Sequence, residues 1–436
     1  MWVPFVLEGK IMFLHTKSDQ FFDETGPVLL RGAGLGNWLN LEHFLLGIPG
    51  TQTEIRRAIE SAYGAERARE FWQAYYHRYV ADADMSFMKS LGFNHVRLPF
   101  NARAFLDHEN FELTTGVREL DRVLALCAEH RLYGILDLHA ASAGQNPDWH
   151  SDNTDGDALF FKNAEARAQA ATLWGKLAVR YANHPWVGGY DLINEPCYFN
   201  PATNEILVRY FADCIEQIRK SDTRHTVILE GNTYARDFSM FTSNLDDNLA
   251  YTFHYYPFLQ LPGQLQPEGL KERIRDSLYR DVTLERLHKL GKPIWCGETG
   301  HPLHQEESIA ALGVYLELLE EIEISWALWP QKDARAMALC FPPKNAAYLS
   351  LVREASNNWS FWDIFTQDSI LSVEGSSDKS VFYRALAKSS SDANSQFQSA
   401  LSKIPFDTFL SSIEDFSISR CEHNKPLIAV IKGVCE

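Results

Sequence analysis

Two glutamates, each with sequence neighbours that limit where its carboxyl group can point, are the residues of this chain best suited to acid/base or nucleophilic catalysis. Glu195 lies between Asn194 and Pro196, so its carboxyl group stands beside a side-chain amide and before a rigid residue, and Glu298 is flanked by small residues. Two carboxyl groups that face each other can cleave a glycosidic bond, because one protonates the departing oxygen while the other attacks the anomeric carbon. The fold must therefore bring together two positions that are far apart in the chain.

Eight short apolar runs of the sequence are typical of buried parallel strands. They are Val28–Gly34, His95–Phe100, Tyr133–His139, Val187–Asn194, Thr226–Gly231, Leu249–His254, Pro293–Gly297 and Ile324–Trp329. Amphipathic stretches long enough for a helix lie between most of them, namely Gly116–Arg131, Ala164–Tyr181, Thr203–Lys220, Leu270–Leu290 and Glu306–Glu321. Alternating strands and helices predict an α/β fold, and eight such units favour a closed (β/α)8 TIM barrel over an open doubly wound sheet.

Polar residues at the ends of the predicted strands are the candidates for a site, since the active sites of such barrels form where the C-terminal strand ends meet. These residues are Arg97, His139, Asn194, Glu195, Glu230, His254, Tyr256, Glu298 and Trp329. Glu230 is left open between a role near the site and a structural one. No two histidines stand at ligand spacing on one element, and Gly32–Gly36 is a poor match to a dinucleotide-binding motif. We therefore predict no metal and no other cofactor.

The two ends of the chain are expected to add small elements to the barrel. Turn signals in Lys10–Leu30 predict a hairpin that closes the barrel floor. Ser389–Ser395 is typical of a polar linker, and Pro426–Ile431 resembles a strand. We therefore predict a barrel domain over residues 1–388, hairpin included, and an extension over residues 389–436 that packs on the barrel.

Composition excludes several classes of protein. The 436 residues are 45% hydrophobic and 22% charged, values close to those of soluble globular proteins. A net charge of −16 lacks the basic footprint of nucleic-acid binding and favours a neutral substrate. No apolar run is long enough for a transmembrane helix.

The N-terminal segment and the cysteines bear on localisation. The first ten residues lack the basic and apolar regions of a signal peptide, so the chain as written is expected in the cytoplasm, or outside the cell if a leader was removed. Seven cysteines without a C-x-x-C pair argue against a disulfide framework and a zinc ribbon, while a pairing of Cys421 with Cys435 is left open.

With these motifs in order along the chain, the sequence resembles glycoside hydrolase family 5 over roughly Phe21 to Phe365. The resemblance rests on Arg97 in Val-Arg-Leu-Pro, His139 in Asp-Leu-His, the Asn194-Glu195-Pro196 triplet, His254 and Tyr256 in His-Tyr-Tyr, Glu298 and Trp329. It implies a retaining (β/α)8 glycosidase with its two carboxyl groups on the fourth and seventh strands. Its expected substrate is a carbohydrate.

The resemblance also implies a role for each position. Glu195 is the expected general acid/base and Glu298 the expected nucleophile. Three residues are expected to contact the glutamates: Arg97 by charge pairing with Glu298, Tyr256 beside Glu298, and His254 beside Glu195. Three others are expected to contact the sugar: Asn194 by a hydrogen bond to the 2-hydroxyl group, Trp329 as a platform under the ring, and His139 as a partner of a hydroxyl group.

Two further stretches resemble the exo-β-1,3-glucanase and β-glucosidase branch of the family. One is Gly34–Glu42, which contains Trp38 and ends in Glu42, a candidate ligand for the hydroxyls of a terminal glucose, although a helix N-terminal charge explains Glu42 as well. The other is the loop Ala141–Phe161 with its Gln-Asn phrase at Asn146, which is long enough to wall off one end of a groove.

The sequence therefore predicts a retaining β-glycosidase that acts on β-linked glucose and is exo-acting. An endo-β-1,4-glucanase or a mannanase with an open groove is an alternative, as is a β-glucosidase with a lipid or plant-metabolite aglycone. A non-catalytic carbohydrate-binding barrel is the alternative from another class. The oligomeric state is left open.

Overall fold

Eight parallel strands form a closed barrel in which neighbours along the chain are neighbours in the sheet and the eighth strand pairs with the first. The computed structural model describes residues 13–105, 113, 114, 116–198, 203–303, 305, 307–360 and 379–435. The barrel strands are Arg31–Gly34, His95–Asn101, Tyr133–Ala140, Val187–Asp191, Val227–Glu230, Leu249–His254, Ile294–Thr299 and Ser325–Leu328. The predicted TIM barrel and all eight predicted strands are confirmed.

Helices cover the outer face of the barrel. They are His43–Leu46, Gln52–Tyr63, Ala65–Tyr79, Asp82–Ser90, Val117–His130, Ala164–Tyr181, Thr203–Arg219, Pro257–Gln260, Leu270–Asp281, Leu284–Leu290, Glu307–Glu321 and Ala347–Ala355. The single helix predicted over Leu270–Leu290 is two, because the chain turns at Thr283, whose φ is +50°. Nearly every residue of the barrel strands is buried, as a parallel sheet covered on both faces requires.

A small antiparallel sheet closes the floor of the barrel, as predicted from Lys10–Leu30. Its strands are His15–Lys17, Gln20–Asp23 and Gly26–Val28, and residues 10–12 of the predicted hairpin lie outside the described residues. Phe21 packs in one buried cluster with Ile135, Ile228 and Trp295 of the barrel. The apolar contact explains why the hairpin lies at the end opposite the strand-end polar residues.

The C-terminal extension is helical, with the helices Lys379–Leu401, Phe406–Ser412 and Lys425–Cys435 and a 3₁₀ turn at Ile413–Phe416. The short strands Cys340–Phe341 and Glu422–His423 pair antiparallel. None of the described helices is long and apolar enough to cross a membrane. All seven cysteines are free thiols, so Cys421 and Cys435 are not paired.

Two predictions for this extension were wrong. Ser389–Ser395 is not a linker but lies inside the helix Lys379–Leu401, which we call the cover helix, so the boundary predicted at residue 388 falls within a helix. Its Ser390 and Asn394 side chains bond to the backbone of residues 49 and 50, contacts that sequence alone does not reveal. Pro426–Ile431 is not a strand, since short apolar runs do not distinguish strands from buried helices.

A buried ion pair ties the loop after the eighth strand to the extension. Lys332 Nζ lies 2.6 Å from Asp84 Oδ1, with both side chains almost fully buried. The same ammonium group donates to the carbonyl oxygens of Tyr79 at 2.8 Å and Phe416 at 2.7 Å. Three partners therefore compensate the desolvation of this charge.

We predict that Lys332→Met lowers the free energy of unfolding by about 3–5 kcal/mol, because it leaves the Asp84 carboxylate buried without its cation. Urea denaturation followed by circular dichroism measures the change. Lys289→Met is the control, since Lys289 pairs with Glu285 on the surface and both side chains are exposed. A loss below about 1 kcal/mol at Lys332 would show that the buried pair does not hold the extension in place.

Candidate active site

The C-terminal ends of the barrel strands bring most of the predicted site residues into one cluster. Glu195 follows the fourth strand and Glu298 lies near the end of the seventh. The nearest ligand atoms of their carboxyl groups lie within 4.8 Å of each other. Carboxyl groups about 5–5.5 Å apart leave no room for a water molecule between them, which is the arrangement of retaining glycosidases.

Arg97, from the second strand, is fully buried at the centre of the cluster. It donates to Asn194 Oδ1 at 2.8 Å and contacts four carboxyl groups, those of Asp137, Asp191, Glu230 and Glu298. One guanidinium cannot balance four buried carboxylates. Burial accordingly raises the pKa of Asp137 and of Asp191 to about 7, and that of Glu230 well above its usual range.

His254 and Tyr256, at the end of the sixth strand, contact the two glutamates. His254 Nδ1 lies 2.8 Å from Glu195 Oε1 and 3.5 Å from Glu298 Oε2, and the Tyr256 hydroxyl donates to Glu298 Oε2 at 2.8 Å. Burial lowers the pKa of His254 to about 3, so the imidazole adds hydrogen-bonding capacity but no charge. Glu195, His254 and Glu298 could hold a metal ion on geometry alone, although the sequence pattern predicts none.

One side of the cluster is lined by aromatic rings and a third glutamate. The His139 ring stacks on Trp329 at 4.9 Å between centroids and 7° between planes, and its Nε2 lies 4.0 Å from Glu42 Oε1. Trp149 donates its indole N–H to Glu42 Oε2 at 3.1 Å. Burial raises the pKa of Glu42 well above its usual range. Loops after the first and third strands are therefore joined beside Glu195 and Glu298.

The loop after the third strand also holds the chain at Glu195. Asn146 donates Nδ2–H to the Glu195 carbonyl oxygen at 2.9 Å and lies 2.7 Å from His150 Nε2. His150 Nε2 is in turn 3.3 Å from Glu195 Oε2. Gln145 donates to the carbonyl oxygen of Asn194 at 2.8 Å. This loop therefore contacts both the backbone and the carboxyl group of Glu195.

Asn194 Nδ2 and Glu42 Oε1 are among the buried polar atoms of the cluster that have no hydrogen-bond partner in the described part of the chain. An amide donor and a carboxyl oxygen in such positions suit sugar hydroxyl groups, since buried polar atoms are ordinarily satisfied. Trp38 is fully buried in the main hydrophobic core, and its indole nitrogen is also without a hydrogen-bond partner among the described residues. The structure does not bring it into the cluster with the other predicted residues.

Sequence reasoning missed four residues of the site as individual candidates. Asp137 lies two positions before His139 on one strand and so points to the same side, a signal that the alternation of strand side chains could have supplied. Asp191 was placed inside a strand predicted to run to Asn194, but the strand ends at Asp191 itself. His150 and Trp149 are loop residues, and no periodicity marks them.

Comparison with known proteins agrees with this geometry. The sequence model of "Cellulase (glycosyl hydrolase family 5)" matches residues 54–335. A beta-xylosidase of Phanerodontia chrysosporium is 34% identical over 362 residues, which cover 78% of this chain and 75% of that protein. A probable glucan 1,3-beta-glucosidase A of Emericella nidulans is 25% identical, with 62% of this chain and 66% of that protein covered.

A solved structure shows the same fold. The endoglucanase Cel5A of Thermotoga maritima superimposes with a TM-score of 0.51 at 19% identity, over 69% of this chain and 89% of that one. The family match covers more than half of the chain and includes both glutamates. The chain belongs to glycosyl hydrolase family 5, and it is a retaining O-glycosyl hydrolase that acts on glycans.

Proposed function

We propose that this enzyme releases β-linked glucose from the ends of glucans or from glucosides by double displacement, with Glu298 as nucleophile and Glu195 as general acid/base. The contacts of each glutamate support its role. Arg97 and Tyr256 bind the two oxygens of Glu298, which orients this carboxyl group for attack. Burial raises the pKa of Glu195, which favours the protonated acid.

In the first step a Glu298 oxygen attacks the anomeric carbon while the bond to the departing oxygen breaks and Glu195 donates its proton to that oxygen. In the second step the Glu195 carboxylate takes a proton from water, whose oxygen displaces Glu298 from the anomeric carbon. Asn194 Nδ2, which is free of protein partners among the described residues, is the donor for the 2-hydroxyl group. Configuration at the anomeric carbon is retained after two inversions.

The bond between Trp149 and Glu42 is the observation that supports exo action. It joins the loops after the first and third strands on the side of the cluster where Trp329 and His139 stack. Asn40 adds a second link, donating Nδ2–H to the His150 carbonyl oxygen at 3.0 Å. A site with joined loops at one end receives a chain terminus, whereas an endo-acting enzyme needs a groove open at both ends.

Terminal β-xylose is a second candidate for the sugar. The observation that favours it is the 34% identity with a beta-xylosidase over most of the chain. Xylose lacks the hydroxymethyl group of glucose, so the two candidates differ in one substituent of the ring. An endoglucanase or mannanase remains the alternative with an open groove.

Product analysis tests the proposal. We expect wild type incubated with laminari-, cello- and xylo-oligosaccharides to release single sugars from one end, followed over time by chromatography. Glucose as first product supports the proposal, and xylose selects the second candidate. Internal fragments at early times would contradict exo action. Glucose released with the α configuration, observed by proton NMR before mutarotation, would contradict double displacement.

We predict that Glu298→Gln lowers kcat/KM by about a thousandfold or more, equal to about 4 kcal/mol of transition-state stabilisation, because the amide cannot form the glycosyl ester. Steady-state kinetics on the sugar chosen by the product analysis measures the loss. Glu285→Gln, at an exposed glutamate, is the matched control and should match wild type. Near-normal turnover by Glu298→Gln would exclude it as the nucleophile.

We predict that Glu195→Ala abolishes the alkaline limb of the pH profile. The acid must carry a proton, so wild-type activity falls as the pH rises through the pKa of Glu195, which burial raises above its usual value. The variant should still cleave dinitrophenyl glycosides, whose leaving group needs no proton, and azide should accelerate it by forming a glycosyl azide. An unchanged alkaline limb, or no glycosyl azide, would contradict the assignment.

A further inference from the structure

The cover helix, Lys379–Leu401, lies outside the segment 54–335 that matches the family, yet it contacts the active-site loops. Its Tyr383 is buried and accepts a hydrogen bond at 3.0 Å from the hydroxyl group of Tyr234, which follows the fifth strand. This bond joins an element outside the matched segment to the loop beside Glu195.

The backbone around Tyr234 adopts a conformation that needs support. Thr233, Tyr234 and Ala235 have φ values of +57°, +57° and +56°, a left-handed turn made entirely of residues with a Cβ atom. Such a turn is intrinsically unfavourable and persists where surrounding contacts hold it. Glu195 is itself left-handed, with φ of +44°, and the Tyr234 N–H donates to the Pro196 carbonyl oxygen at 3.3 Å. The strained turn at residues 233–235 is therefore hydrogen-bonded to the residue next to Glu195, which is itself strained.

A second route leads from Tyr234 to Glu195 through the loop after the third strand. Burial, together with the nearby carboxyl group of Asp148, raises the pKa of Tyr234 well above its usual range. The Asp148 N–H donates to Asn146 Oδ1 at 3.0 Å, and Asn146 Nδ2 donates to the Glu195 carbonyl oxygen at 2.9 Å. Each link joins buried or half-buried polar groups, so loss of one affects the position of the next.

The cover helix is itself held firmly in place. Ser390 accepts a hydrogen bond from the Gly50 N–H at 2.8 Å, and Asn394 donates to the Pro49 carbonyl oxygen at 2.7 Å. A Cβ atom at Gly156, in the loop after the third strand, would lie 2.9 Å from the backbone nitrogen of Arg384. The helix backbone thus packs directly against the loop that carries Asn146, and it is a fixed support for Tyr383.

We propose that Tyr383 is a positioning residue for the general acid: through Tyr234, whose N–H bonds to the carbonyl oxygen of Pro196, it holds Glu195 in line with the departing oxygen. This inference rests on the proposed role of Glu195. Glu298 is oriented separately by Arg97 and Tyr256, so the support acts on protonation of the leaving group and leaves attack on the anomeric carbon unaffected.

The test compares two leaving groups on the sugar that wild type accepts. With an alkyl glycoside the departing oxygen needs the proton of Glu195, and with a 2,4-dinitrophenyl glycoside it does not. We expect Tyr383→Phe, which keeps the ring and removes the hydroxyl group, to lower kcat/KM about tenfold or more for the alkyl glycoside and less than about twofold for the dinitrophenyl glycoside. Tyr234→Phe should give the same pattern, and the double variant should be no worse than the more impaired single variant.

Two controls separate the possible failures. Tyr279→Phe removes the hydroxyl group of an exposed tyrosine and should match wild type on both substrates. Glu195→Ala is the reference for lost acid catalysis, and if it shows no dependence on the leaving group, the proposed function fails. Suppose that Glu195→Ala shows that dependence. The positioning role of Tyr383 is then overturned if Tyr383→Phe lowers kcat/KM equally for the two glycosides, or lowers it for neither.

Discussion

The buried guanidinium of Arg97 is the interaction on which the catalytic end of this barrel depends. It contacts Asp137, Asp191, Glu230 and Glu298, which come from the third, fourth, fifth and seventh strands. Four buried carboxyl groups around one cation are stable only when protons and hydrogen bonds make up the deficit of positive charge. The contacts between these barrel strands and the orientation of Glu298, the proposed nucleophile, therefore depend on the same charge, and a change in any of these carboxyl groups alters the others.

The two glutamates differ in what holds them. Glu298 lies within a barrel strand, and strand residues bind its carboxyl group. Glu195 lies just beyond its strand with a left-handed backbone, and its contacts include His150 and Asn146 from a long loop. A group held by loops is more easily repositioned than one held by a closed sheet. Glu195, the proposed acid/base, is therefore the glutamate whose position we expect to depend on supporting elements outside the barrel.

The barrel and most of the site can be predicted from the sequence because both depend on patterns within short segments of the chain. Apolar runs ending in polar residues place Arg97, His139 and Glu298 at strand ends, and parallel strands bring such ends together. The continuation of the cover helix through Ser389–Ser395 was missed because Ser390 and Asn394 bond to the backbone of residues 49 and 50, far away in the chain. Trp38 shows a different limit, since a motif does not reveal whether its aromatic residue packs in the hydrophobic core, as Trp38 does.

This division between strand and loop bears on the proposed reaction. Arg97, Tyr256 and Glu298, the residues proposed to act at the anomeric carbon, all lie within the matched segment. The proposed support for Glu195 comes partly from Tyr383, which lies outside it. Because protonation is needed in proportion to the basicity of the departing oxygen, a support that acts on Glu195 alone affects poor leaving groups more than good ones, while the contacts to the sugar ring stay the same.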